Sequence, residues 1–498
     1  MTYYLLHSGQ MSAERLAVQV PRLVPIEEIR RVGADDTVIR FGNTEDQDRG
    51  KWTINRREAL FIADSRRTLL KTLRRAGVNC PRFTNRDEET ETKNQLIKTY
   101  RVPVFNLRAL ACFRTEGKSV WLSKRIHQIQ DHYTEVVFDS DDEARRVSLL
   151  AVRAMHAVGL EFGLVSIGIG PKGRPIVLDV SPSPVCKGRL LQLYAQAINE
   201  YMTQEERNNR AEVDRVLLGT DLEFMLKSRH GKLIPASRYF PLKGKVGCDD
   251  RTLNGDRSRR PLGEIRPLPS PTPEGLCQNI ERVLKDAISL SATPYPVWVA
   301  GSAPFERFPI GGHIHFSGIP FTARFVNCLD AYVGMPLMLI EDPVSALRRR
   351  PKYGFLGDIR HKSYGGFEYR TPASFLVDPN IALGALALAY VVAHHHAELP
   401  YIDLHDAMRM KAFYRNDRDY LLPIAEEVYA NVKRTASYVR YREPIDLIFT
   451  MIRNDEVWDE SIDVRKAWQI AMPESTVRKQ TQRKKKQASS SVRGGVTT

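Results

Sequence analysis

Residues 311–318, Gly-Gly-His-Ile-His-Phe-Ser-Gly, place two histidines one residue apart on an otherwise apolar segment framed by glycines. In an extended strand, successive side chains point to opposite faces. His313, His315 and Ser317 then share one face, and Ile314 and Phe316 the other. Taken alone, the segment reads equally well as a half-buried strand with a solvated side. The same peculiarity recurs around it. Residues 219–224, GTDLEF, carry Asp221 and Glu223 at i and i+2; residues 263–267, GEIRP, carry Glu264 and Arg266; residues 367–371, FEYRT, carry Glu368 and Arg370. The residue between each polar pair is apolar or aromatic: Leu222, Ile265, Ile314, Tyr369.

If these strands share a sheet with their apolar sides on one core, the acids, imidazoles and guanidiniums all line the opposite face. Clustered carboxylates repel one another unless cations sit between them. Hard divalent ions such as Mg²⁺ are bound by carboxylate oxygens, often beside substrate phosphates. Interleaved arginines suit phosphate or carboxylate recognition. Between the third and fourth segments lies a basic, glycine-containing loop, residues 348–360, RRRPKYGFLGDIR. Arg350 and Arg360 flank its YGFLGD turn and are read as phosphate-facing; Arg348 and Arg349 read equally as exposed loop residues.

This order of motifs resembles the glutamine synthetase-like fold, and most closely the phage-type carboxylate–amine ligases, or amidoligases. The resemblance spans about residues 215–399. It implies an α+β fold, with an antiparallel sheet and helices packed on one of its faces. It also implies ATP and Mg²⁺ (or Mn²⁺) as cofactors. Metal roles then fall to Asp221, Glu223, Glu264, His313 and Glu368, with Glu264 also near the chemistry. Phosphate or acyl-phosphate roles fall to Arg350, Arg360 and Arg370, and nucleotide or substrate contacts to His315 and Arg266.

The first half is mixed α/β. Residues 56–76 have helical spacing, residues 141–159 read as a helix with early acids and a glycine stop, and residues 162–169 and 175–180 as a strand pair. Extended segments at 101–105 and 119–125, with the strand pair and IVLDVSPSP, resemble the second half of an ATP-grasp fold. That resemblance implies nucleotide contacts for Arg101 and Lys124 and a metal role for Asp179. Asp179 and Ser181 stand where such chains carry glutamate and asparagine, which leaves the activity of this half open. The expected organisation is an N-terminal extension over 1–19, an ATP-grasp-like domain over 20–203, a ligase domain over 211–475 and a basic disordered tail over 476–498.

Composition narrows the class. The chain has 498 residues, a net charge of +15, and no apolar run long enough to span a bilayer. Six scattered cysteines without a CxxC pair argue against a zinc ribbon or disulfide framework and fit a cytoplasmic protein. From Arg478 onward seven basic residues meet no acid, so much of the charge belongs to a tail suited at most to weak nucleic-acid contacts. His394, His395 and His396 lie about 100° apart on a helix and cannot chelate one ion.

The expected function is an ATP-dependent ligase joining an amino-acid, peptide or protein carboxylate to an amine through an acyl phosphate, with no membrane partner and the oligomeric state open. Three alternatives remain at this level: a guanidino-kinase-like phosphotransferase on the same sheet, a non-enzymatic binding protein using its basic tail, and a metal hydrolase using His313 and His315.

Overall fold

A computed structural model describes residues 1–42, 45–81, 96–116, 125–138, 140–208, 216–291, 295–363 and 365–471. All of the second extended segment of the first half (119–125) but Arg125, together with Lys124 and the basic tail, lies outside these residues.

The chain opens with a four-stranded parallel sheet: β1 (Tyr3–Leu6), β2 (Leu23–Ile26), β3 (Thr37–Arg40) and β4 (Trp52–Ile54), in the order β2-β1-β3-β4. The expected N-terminal extension is therefore corrected. Tyr-Tyr-Leu-Leu at 3–6 is a central strand, and strands of a parallel sheet are covered on both faces and show little alternation. Its core is shared with the helix Gly188–Asn208, through Tyr194, Ile198 and Met202.

A second, antiparallel sheet contains β5 (Lys98–Phe105), β6 (Arg108–Ala109), β7 (Cys112–Glu116), β8 (Thr134–Val136), β9 (Phe162–Ile169) and β10 (Pro175–Ser181). The helix Asp142–Val158 packs against it. Asp141 caps this helix by accepting from the Glu143 and Ala144 amides, and Gly159 ends it in the left-handed conformation, as the sequence suggests. The single helix expected over 56–76 is two, Arg57–Asp64 and Arg66–Arg75. Ser65 is extended between them, and its hydroxyl caps the second.

The third sheet holds β11 (Leu217–Lys227), β12 (Leu233–Ile234), β13 (Val246–Cys248), β14 (Leu262–Ile265), β15 (Val297–Val299), β16 (Gly312–Ser317), β17 (Ile359–His361) and β18 (Phe367–Tyr369). Its main path runs β13-β14-β11-β16-β18-β17, antiparallel throughout. Leu222, Phe224, Ile265, Ile314, Phe316, Phe367 and Tyr369 all point to one side. There they pack with the helices Pro273–Ser291 and Pro379–His395 in the largest hydrophobic core. The α+β class and the one-sided helical cover match the sequence expectation.

All six cysteines are unpaired. Among the described residues, no helix is long and apolar enough to cross a membrane. The three consecutive histidines diverge: His394 stacks on Tyr390, His395 meets Ser437, and His396 turns into the core against Phe325.

Candidate active site

The strand register brings the motifs together. Asp221 on β11 lies opposite His313 on β16, and Glu223 opposite Glu264 on β14. His315 lies opposite Glu368 on β18, which in turn faces Arg360 on β17. Because the period is two, the apolar neighbours that fill the core force these side chains onto the other face. Residues separated by about 150 positions thus form one polar floor.

Contacts on the floor are close. His315 Nε2 stands 3.2 Å from Asp221 Oδ2, and His313 Nδ1 stands 3.0 Å from Glu368 Oε1. Neither pair is aligned as a hydrogen bond: His313 Nδ1, His315 Nε2 and Glu368 Oε1 are buried with no hydrogen-bond partner. Such orphaned buried atoms are costly unless something else engages them. Two groups offer ligand atoms all within 4.8 Å of one another, Asp221/Glu264/His313 and Asp221/His315/Glu368. Asp221 belongs to both. The donor set of carboxylate oxygens with imidazole nitrogens fits divalent cations.

The electrostatics agree. Burial pushes the Glu264 carboxyl up to about 8, reinforced by Asp221 and opposed by Arg266. A carboxyl so placed gains strongly from a cation. Burial also works against the charge of Asp221, but His315, His313 and Lys362 outweigh it and hold its pKa below the usual range. Glu368 is buried too. His313, Lys362 and Arg360 overcome that cost and hold it well below ordinary carboxylates. Lys362, whose Nζ lies 2.8 Å from Glu368 Oε2, carries no motif and was not anticipated. Neither was Arg251, whose terminal nitrogen donates to both oxygens of Glu223 at 2.8 Å.

Glycines shape the floor. A Cβ on Gly311 would sit 2.4 Å from His313 Nε2, and one on Gly219 would press on His315 Cβ at 3.3 Å. The Gly311 amide also donates to Glu223 Oε2 at 2.8 Å.

The model of the phage phiEco32-like COOH.NH2 ligase-type 2 family matches residues 218–470, from the first acid-bearing strand almost to the end of the described chain. The chain belongs to that family. No curated protein matches its sequence. Among solved structures, the ATP-grasp ligase PsnB complexed with minimal precursor, Mg and ADP aligns at 12% identity and a TM-score of 0.30. It covers 40% of this chain and 96% of that one. A bifunctional glutathione synthetase from Pasteurella multocida aligns at 11% identity and a TM-score of 0.32, over 54% and 50% of the two chains. The complex of the prokaryotic ubiquitin-like protein Pup with its ligase PafA aligns at 10% and 0.34, over 49% and 65%.

The geometry places several of the expected site residues elsewhere. Arg350 does not face the floor. It is buried, forks Glu341 through two 2.6 Å bonds, and gives its Nε to the Gly354 carbonyl. Arg349, read as an equal candidate for an exposed loop residue, is fully buried among the carbonyls of Ile310, Arg370, Thr371 and Pro372, and burial lowers its pKa to about 10. Glu223 lies on the floor with both oxygens accepting from Arg251, and it is in neither of the two ligand groups. Arg370 and Arg360 do reach Glu368, each at 3.4 Å. Arg266 meets the Glu264 carboxylate, and His315 stands with the ligand candidates rather than apart from them.

In the first half of the ligase, Asp179 is fully buried. Its Oδ2 accepts from Arg125 Nε and the Ile126 amide and so anchors that segment, while its Oδ1 is buried without a hydrogen-bond partner. Arg101 is buried beneath the Tyr133 ring, 4.8 Å from its centroid. A polar residue on a strand signals a solvent-facing site only when that face is open, and here the segment around 125–133 covers it.

Proposed function

We propose that the protein is an ATP- and Mg²⁺-dependent ligase that forms an amide between a carboxylate and an amine, releasing ADP and phosphate. The observation that carries this reading is the shared Asp221: two groups of ligand atoms meet at one carboxylate, on a sheet that lies within the residues matched by the ligase family. Asp221, Glu264, His313, His315 and Glu368 are the residues that would hold the cations. Bound Mg²⁺ supplies charge neutralisation of the triphosphate and polarisation of its terminal phosphoryl group.

The chain's own cations complete the arrangement. Arg360, Lys362 and Arg370 surround Glu368, and Arg360 is half exposed, so its guanidinium can turn to a phosphoryl or carboxylate oxygen. In this reading the substrate carboxylate attacks the terminal phosphorus of ATP and ADP departs. The amine then attacks the acyl phosphate, with Arg360 and Arg370 stabilising the developing charge. An ATP-grasp-like role for the first half is part of the same proposal, limited to binding by the closure of its Asp179 face.

The test is ADP release with candidate amino-acid and peptide carboxylates and amines, followed by product mass. Asp221→Asn is expected to cut the rate by about 10²-fold or more. A wild-type rate in that variant overturns the reading, and a phosphorylated product without an amide points to the phosphotransferase instead.

A further inference from the structure

The ladder between β16 and β18 is regular from Phe316–Phe367 to Ile314–Tyr369 and then breaks. The next bridge joins Gly311 to Ala373. Two residues on one side, Gly312 and His313, therefore oppose three on the other, Arg370, Thr371 and Pro372. The break falls on the floor itself, because His313 is a candidate ligand and Arg370 reaches Glu368. An extra residue of this kind disrupts the ladder locally and leaves backbone groups to be satisfied by other partners.

Arg349 fills the break. On the β16 side its Nε donates to the Ile310 carbonyl at 3.0 Å. On the β18 side its terminal nitrogens donate to the carbonyls of Thr371 at 2.6 Å, Pro372 at 2.8 Å and Arg370 at 3.1 Å. A direct backbone link also crosses here, from the Gly312 amide to the Pro372 carbonyl at 3.2 Å. Buried charges are commonly paired with an opposite charge, as Arg350 is with Glu341; Arg349, fully buried, spends its donors on backbone carbonyls of two strands instead. The helix that delivers it, Pro343–Arg349, is pinned at its other end. Asp342 caps it by accepting from the Ser345 amide at 2.8 Å, and Ser345 Oγ accepts from the Ala303 amide at 2.7 Å and donates to Glu460 at 2.6 Å.

We propose that Arg349 is a positioning residue for the floor: it ties the approach to His313 to the exit from Glu368 and so fixes how the two stand to each other. A guanidinium suits the task because its five donors diverge in one rigid plane, whereas an ammonium offers three from a single atom. The inference rests on the metal-binding reading given under Proposed function.

The experiment is titration of the full chain with Mn²⁺ alone, followed by calorimetry and electron paramagnetic resonance, with circular dichroism checking that each variant is folded. Folded Arg349→Ala is expected to bind Mn²⁺ about 10–100-fold more weakly than wild type and with an altered resonance line shape; Arg349→Lys is expected to weaken binding about 10-fold. Arg40→Met is the control for loosening in general. Arg40 is also fully buried, in the first sheet, and pairs with Asp48. That variant should lose stability while keeping the wild-type Mn²⁺ affinity and line shape. The proposal is overturned if folded Arg349→Ala binds Mn²⁺ as wild type does, or if Arg40→Met weakens binding as much. Should Arg349→Ala fail to fold, wild-type affinity in Arg349→Lys overturns it equally. If wild type binds no Mn²⁺, or Asp221→Asn leaves binding unchanged, it is the underlying metal reading that falls.

Discussion

Glu161 shows how one residue records its surroundings. It is fully buried, with its carboxylate accepting from Trp52 Nε1 at 3.2 Å, and burial raises its pKa from 4.5 to about 8, Trp52 and Arg56 opposing. The folded state therefore holds this proton more tightly than the unfolded chain. Its contribution to stability is complete below about pH 4.5 and is lost as pH rises through about 8. Thermal unfolding should show a stability loss over that window of up to about 5 kcal/mol, which Glu161→Gln flattens. At Arg350 the expectation is different. Arg350→Ala strands a buried Glu341 and should cost about 3–5 kcal/mol in urea unfolding, whereas Arg350→Met with Glu341→Leu should recover most of it. Which side chains share the floor was legible residue by residue, because acids and histidines alternate there with apolar residues that must face the core. The arginines were not: three in a row at 348–350 leave a helix end, and only the chain reversal after Pro351 decides which of them points inward. Arg251 and Lys362 were illegible for a related reason, since each stands alone in a loop with no spacing to mark it.

At the scale of elements, the period of two carried the reading. It placed β11, β14, β16 and β18 and assigned their faces correctly, because a one-residue slip would exchange core and floor. The buried support beneath that floor left no such trace. Asp330 begins a single π-helical turn, Asp330–Gly334, and its carboxylate accepts from Tyr369 Oη at 2.8 Å and the Gly357 amide at 3.0 Å. His156, from the helix Asp142–Val158, lies 2.8 Å from its other oxygen. Tyr369 sits between Glu368 and Arg370, so this turn holds the strand that carries them. Asp330→Ala would leave three buried polar partners unsatisfied and should cost about 2–4 kcal/mol in denaturant unfolding. The same variant should weaken Mn²⁺ binding, since Glu368 loses its anchored neighbour. Unchanged stability would show that the turn is held by packing alone.

For the whole molecule, the question is whether the two halves behave as separate bodies, as boundaries near 203 and 211 suggest. The contacts between them include buried and half-buried polar pairs. Besides His156 with Asp330, Asn106 Oδ1 accepts from the Ala323 amide at 2.7 Å, and Arg75 donates to the Ala407 carbonyl at 2.9 Å. Arg153 lies 3.7 Å from the Phe355 ring centroid and donates to the Pro351 carbonyl. Separating the halves would expose each of these groups without its partner. Calorimetry of the full chain should therefore show one transition, and a fragment of residues 211–475 alone should melt lower than the full chain. Two resolved transitions would establish independent domains. None of these contacts is visible in the sequence, because they join positions with no shared pattern.

The glycines under the histidines set where this enzyme can change. A methyl group at Gly311 would stand 2.4 Å from His313 Nε2 and push that imidazole aside, whereas one at Gly219 would meet His315 Cβ at 3.3 Å and ask it to give by a few tenths of an ångström. Variation that leaves the imidazoles where they stand is therefore open at Gly219 before it is open at Gly311.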